Sequence, residues 1–285
     1  MDLTTIIQSK KGNSLTKYPS IMTYHKMGKG ILEEKINMPE QDRDQIVYIS
    51  EKIDGINMRI LILNGDYVIG SREEFIYAKG DRIVSPNIKD YIGYMVSIAE
   101  DMIHSNAIKR DVLYCIYGEL YGSKIQSAWK RYTSSKGTYG YRIFDVWDMP
   151  VLDFAMMYDS IASSEAASNW RESNRQPWYE FFSLLTFATS VISLSPVPYI
   201  KHDFLKNIPE DKEGAFLYLL NFQKTIINLD GSKKNCTDAE GIVIRTENRE
   251  YISKLRFADY AKTFRKTDIK KYNELMMKKK EEVKK

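Results

Sequence analysis

Glu51-Lys52-Ile53-Asp54-Gly55-Ile56-Asn57 sets a lysine beside an Asp-Gly turn, between two apolar runs. An amine presented in that way can act as a nucleophile. An ordinary lysine titrates near 10.4, so only about one in a thousand is neutral near pH 7.4, a handicap of roughly 4 kcal/mol. Desolvation and neighbouring positive charge recover part of that deficit. Read alone, the same string also describes a surface lysine entering a hairpin turn.

Five further clusters follow in order. Gly70-Ser71-Arg72 comes directly after a hairpin, and Arg72 there returns toward the Lys52 turn with a fork of donors for ribose or phosphate oxygens. Glu119 ends an apolar strand between Gly118 and Gly122, glycines expected to admit a ligand closely. Its carboxylate is able to accept from a ribose hydroxyl, or to serve as a turn carboxylate. Phe144, within Tyr141–Trp147, either stacks on a purine or fills the core. Glu240 and Gly241 open a buried strand, and the Glu240 carboxylate suits magnesium, bound directly or through water. Lys254 and Arg256 stand two apart on a strand and therefore on one face. Such a pair suits an α-phosphate. Each cluster alone also reads as ordinary surface or core; their order along one chain carries the functional reading.

These residues need strands and turns to hold them. Residues 46–50, 57–63 and 66–70 are strand-like, and Asn64-Gly65 is a type I′ hairpin signal. Strands are also expected over 112–120, 141–147, 241–246 and 251–257. Apolar spacing predicts helices over 88–109, over 153–192 with a break near Gln176-Pro177, over 213–228 and from 261 onward. The mixture predicts an α+β chain with antiparallel sheets flanked by helices.

Composition narrows the class. The 285 residues are 43% hydrophobic and 28% charged, which fits a soluble globular protein. Cys115 and Cys236 lie far apart, no zinc spacing exists among His25, His104 and His202, and no signal peptide is apparent. The apolar run Phe181–Leu194 is shorter than the roughly 20 residues of a membrane span and reads as a buried helix. A cytoplasmic location without membrane or obligate protein partner is expected. Between Lys262 and Lys285 there are ten basic and four acidic residues, so the body is near neutral and the tail basic. That tail suits a polyanion or forms a solvated helix.

With the six clusters in place, residues 45 to about 260 resemble the ATP-dependent RNA ligases of the RNA ligase 2 type. These belong to a covalent nucleotidyltransferase superfamily shared with DNA ligases and mRNA capping enzymes. The resemblance implies an ATP-grasp-like adenylation fold over residues 1–260 and a basic helical tail over 261–285. It implies ATP and Mg2+ (or Mn2+) as cofactors, and RNA ends, a 5′-phosphate and a 3′-hydroxyl, as partners. Lys52 would become covalently adenylated. Glu51, Asn57, Arg72, Glu119, Phe144, Glu240, Lys254 and Arg256 would bind the nucleotide, with Phe144 on adenine, Glu119 on ribose and Glu240 at the metal. A minimal DNA ligase, a capping guanylyltransferase and a non-catalytic binder of nucleic-acid ends are the alternatives. The chain departs from the pattern at Arg256, where lysine is more usual, and at Asp54, where some close relatives carry histidine. The thirty or so residues past Arg256 are too few for an oligonucleotide-binding barrel. The basic tail is therefore the expected grip on RNA.

Overall fold

The computed structural model describes residues 1–38, 43–86, 88–191, 194–231 and 238–282. In chain order the elements are α1 (Leu3–Ile7), α2 (Lys10–Leu15), β1 (Met22–Thr23), β2 (His25–Gly28), β3 (Ile31–Ile36), β4 (Ile46–Lys52), β5 (Ile56–Leu63), β6 (Asp66–Ser71), β7 (Phe75–Ala78), β8 (Ile83–Val84), α3 (Ile92–Ile103), β9 (Val112–Gly122), β10 (Tyr139–Pro150), α4 (Val151–Ser160), α5 (Ser164–Glu172), α6 (Phe181–Ser190), β11 (Ser195–Pro196), β12 (Tyr199–Phe204), α7 (Lys212–Leu220), β13 (Gly241–Thr246), β14 (Ile252–Arg256), α8 (Phe257–Thr267) and α9 (Ile269–Glu282). The class is α+β with mainly antiparallel sheets. Two compact units result, one of Met1–Ser20 with Asp54–Val197, the other of Ile21–Ile53 with Pro198–Lys285.

The first unit is built on a seven-stranded sheet, order β11-β10-β9-β5-β6-β7-β8. Asn64 and Gly65 both take positive φ, 52° and 76°, so the β5–β6 hairpin turns as its sequence demands. One face carries Met58, Ile60, Ile62, Ile116 and Ile143 into a core closed by Met95 and Ile98 of α3 and Leu184 and Phe187 of α6. The run from Phe181 is thus a covering helix. Among the described residues no helix is long and apolar enough to cross a membrane.

The opposite face carries Asn57, Arg59, Tyr117, Glu119, Arg142 and Asp145, by strand alternation and register. Arg59 is fully buried there. It donates to the Asn13 carbonyl at 3.0 Å and Thr16 Oγ1 at 3.2 Å, bonds the Asn13 side chain, and lies 4.6 Å from the Phe75 ring centre. Burial pushes its pKa down to about 10, still a cation at neutral pH. Tyr117 Oη donates to the Thr16 carbonyl at 2.9 Å. The N-terminal segment is thereby pinned to this face.

The second unit holds a five-stranded sheet, order β1-β14-β13-β4-β12, in which only the β1–β14 pair is parallel. Val47, Ile49, Ile242, Ile244 and Leu255 point into a core shared with Phe216 and Leu219 of α7 and Tyr260 and Phe264 of α8. Strands β2 and β3 form a separate hairpin turned by Lys29 and Gly30, with φ of 50° and 76°.

Several elements differ from expectation. The helix expected over 88–109 is only α3. The 153–192 stretch forms three helices, because Ser163 caps a new one by accepting from the Ala166 amide. The helix expected to reach 228 ends at Leu220, since Thr225 and Ile226 bond to Glu51 instead of extending it. Asp54-Gly55 closes no hairpin: β4 and β5 belong to different sheets. Strand β12 and the N-terminal elements carry too little periodicity to be read from sequence. Cys115 is buried, whereas Cys236 lies outside the described residues.

Candidate active site

Alternation along β4 sends Val47, Ile49 and Glu51 to the core face and Ser50 and Lys52 to the other. Register does the rest. Lys52 pairs with Gly241 of β13, and Gly241 pairs with Arg256 of β14. One row back, Ser50 pairs with Val243 and Val243 with Lys254. Directly opposed residues share a face, so Lys52, Lys254 and Arg256 project from the same side of this sheet. Only glycine fits between the two end cations: a Cβ on Gly241 would stand 2.0 Å from the Leu255 carbonyl oxygen.

Glu240 precedes that glycine and reaches both cations. Lys52 Nζ donates to Glu240 Oε2 at 2.7 Å, with side-chain exposures of 22% and 17%. Arg256 Nη1 lies 3.9 Å from the other Glu240 oxygen. Arg256 Nε and Nη2 donate to Asp259 at 2.7 and 2.8 Å. The result is an alternating line, Lys52–Glu240–Arg256–Asp259, half-buried at the end of the sheet. Removing or redirecting the Glu240 charge would leave a surface of cations suited to a phosphate.

Glu51, expected beside the nucleotide, lies instead on the core side of β4 and is 2% exposed. Its carboxylate accepts from Thr225 Oγ1 and, at 2.8 Å, from the Ile226 amide.

The first unit gathers the other predicted residues. Glu119 sits between Asn57 on β5 and Arg142 on β10. It accepts from the Gly55 amide at 3.1 Å, while the Asp54 amide donates to Tyr132 Oη at 2.7 Å and Arg131 pairs with Asp54 at 3.0 Å. The Asp54-Gly55 turn is therefore held by groups on β9 and on the 129–132 segment. Asn57 Oδ1 is buried with no hydrogen-bond partner among the described residues. Gly118 does not admit a ligand: the Tyr141 ring fills its side, 2.4 Å from where a Cβ would stand. The close approach expected of that glycine is taken up by the protein's own core.

Phe144 is the extra residue of a β-bulge between Ile143 and Asp145. The Tyr18 ring meets it edge-on, 4.9 Å between centres, and Tyr18 Oη donates to Asp145 Oδ2 at 2.6 Å. Ser71 pairs with Met58, which brings Arg72 level with Asn57; its guanidinium donates to Ser20 Oγ at 2.9 Å. Tyr18, Ser20, Arg131, Tyr132 and Arg142 are absent from the sequence-based set. No local motif marks them, and only the register and the path of the N-terminal segment bring them here.

A family model described as RNA ligase matches residues 45–262. No curated protein matches significantly. Solved structures of the Naegleria gruberi RNA ligase are similar. An alanine mutant with ATP and Mn matches at a TM-score of 0.47 and 14% identity, over 85% of this chain and 62% of that one. The same ligase with PPi matches at 0.46 and 13%, over 87% and 62%. This chain thus spans about three fifths of the length of those ligases. The family model covers most of the chain, including every strand that carries a candidate residue, and on that ground the chain belongs to the RNA ligase family.

Proposed function

We propose that the protein is an ATP-dependent RNA ligase of the RNA ligase 2 type, with the nucleotidyltransferase adenylation fold over residues 1–260. Lys52 attacks the α-phosphorus of ATP, forming a P–N bond as pyrophosphate leaves. The AMP then passes to the 5′-phosphate of an RNA strand, which restores the free amine. Finally a 3′-hydroxyl attacks the activated 5′-phosphate, AMP leaves, and the phosphodiester forms. The observation that supports this reading best is the row Lys52–Gly241–Arg256 with Glu240 bonded to the amine.

Each residue type matches its task. Lys254 and Arg256 neutralise the α-phosphate, and a charge-assisted fork from Arg256 is worth more there than a neutral donor. Glu240 holds the resting Lys52 ammonium and is the nearest carboxylate for its proton. Glu119 and Arg142 flank one another across β9 and β10 and offer an acceptor and a donor to ribose. The orphaned Asn57 Oδ1 accepts a hydrogen bond from bound nucleotide or RNA, relieving a desolvation cost of about 1–3 kcal/mol. Phe144 stacks on adenine, and Arg72 reaches nucleotide oxygens.

Magnesium fits this donor set. Among the described residues no cluster of three or more protein ligands exists for a resident ion. A single carboxylate such as Glu240 suits an ion that keeps waters and shares the phosphates. When bound, the ion would supply charge neutralisation on the phosphate oxygens.

The experiment is incubation with labelled ATP and magnesium, followed by peptide mass spectrometry. AMP attached to Lys52, and transfer of that AMP to a 5′-phosphorylated RNA, are expected. Labelling by GTP in place of ATP would instead indicate a capping enzyme, and no label at all a simple binder.

A further inference from the structure

Helix α8 begins where the candidate site ends: Arg256 is its N-cap. Lys262 and Lys266 stand four apart on this helix and so lie on one face. The β2–β3 turn lies against Lys262, whose Nζ is 3.5 Å from where a Cβ on Gly30 would stand. Leu32 donates its amide to Thr263 Oγ1 at 2.9 Å, which fastens the hairpin to the helix. Lys29, at the tip of that turn, is exposed, as are Lys262 and Lys266.

The three lysines share a second property. None makes an ion pair with any carboxylate among the described residues. Two other lysines of this unit do: Lys212 pairs with Glu34 at 2.8 Å and Lys271 with Glu213 at 2.7 Å. The unit that holds them is also the positive one. It carries 25 basic and 20 acidic residues, against 17 and 18 in the first unit.

We propose that Lys29, Lys262 and Lys266 form a track for the phosphate backbone of the RNA substrate, leading away from Arg256 along α8. Ten residues of helix span roughly 15 Å, enough to follow several phosphates. The ammonium groups act as point charges on successive phosphates and carry no base preference. The occupant is RNA because the track starts at the site proposed to join RNA ends, and the inference rests on that reading. The track does not depend on the end of the basic tail, whose last three residues, 283–285, lie outside the described residues.

The test compares the parent with a Lys29→Ala/Lys262→Ala/Lys266→Ala variant in two assays. Self-adenylation with ATP and magnesium, which needs no RNA, should be equal in both. The Kd for a 5′-phosphorylated RNA should rise about tenfold in the variant. The slope of log K against log salt should shrink by about 2, as expected for three lost contacts to a single strand. Unchanged RNA affinity and slope would overturn the track, as would a parent that prefers DNA to RNA. A parent that binds RNA through these lysines but never takes up AMP would leave the track standing and remove the ligase reading.

Discussion

Lys52 and Glu240 are 188 positions apart in the chain, and their side chains meet at 2.7 Å. The pairing exists because β4 and β13 are adjacent strands with Lys52 opposite Gly241. It gives the amine a fixed direction and a carboxylate within reach of its proton.

Lys52→Ala should abolish the AMP adduct, a loss on the order of a thousandfold or more if the amine is the nucleophile, while Tm changes by only a few degrees. The ion pair is partly exposed, so its removal costs little stability, about 1 kcal/mol or less. Mass spectrometry and thermal melts on the same sample check both halves. A variant that fails to fold would mean that the lysine is structural.

Gly241→Ala should destabilise the second unit by about 1–3 kcal/mol, the usual cost of forcing extra atoms into a packed site. The new methyl would press on the Leu255 carbonyl and part β13 from β14. Adenylation should fall with it, because Lys52 and Arg256 take their positions from that glycine. Denaturant unfolding and the AMP-labelling rate are the measurements, and unchanged values in both would refute the packing argument.

Glu51→Gln separates two roles. As a clamp on Thr225 and Ile226, the carboxylate should contribute about 1.5–3 kcal/mol to stability, typical of hydrogen bonds to a charged group. ATP affinity of the folded variant should stay within about twofold. A tenfold loss of ATP affinity at unchanged Tm would restore Glu51 to the nucleotide site.

Tyr18→Phe keeps the ring against Phe144 and deletes the hydroxyl that donates to Asp145. ATP affinity should fall about fivefold, and affinity for inorganic tripolyphosphate, which has no base, should not change. Equal losses for both ligands would show that Tyr18 supports the fold and not the stacking residue.

His25 should make stability fall with acid. Its imidazole is buried; a neutral ring donating from Nε2 to the Glu210 carbonyl and accepting at Nδ1 from Tyr260 Oη satisfies both 2.8 Å contacts. Burial, the largest influence, holds its pKa below the ordinary value, against the opposing pull of the Glu210 carbonyl. The unfolded chain, titrating near 6.5, therefore takes up the proton first. The stabilisation is complete above about pH 7 and is lost as pH falls through 6.5 toward the folded value, at up to about 1.4 kcal/mol per pH unit. Urea unfolding at pH 7.5 and 5.5 should show this loss in the parent and not in His25→Gln.

Much of the site was legible because chemistry-bearing residues sat on short, strongly patterned strands. Alternation alone put Lys254 and Arg256 on one face, and Asn64-Gly65 fixed the β5–β6 hairpin. Helix ends were less legible: Glu51 draws Thr225 and Ile226 away from α7, and nothing near those two residues announces it.

Residue types and their order along the chain determined which family this is and which amine is the candidate nucleophile, since those depend on local chemistry. Tertiary structure alone decided that β4 and β5 part into different sheets, that Glu51 faces the core, that Tyr141 fills the space beside Gly118 and that Tyr18 braces Phe144. The physical reason is that a one-dimensional pattern specifies which side of a strand a residue takes, whereas its neighbour across the sheet depends on register between segments far apart in sequence.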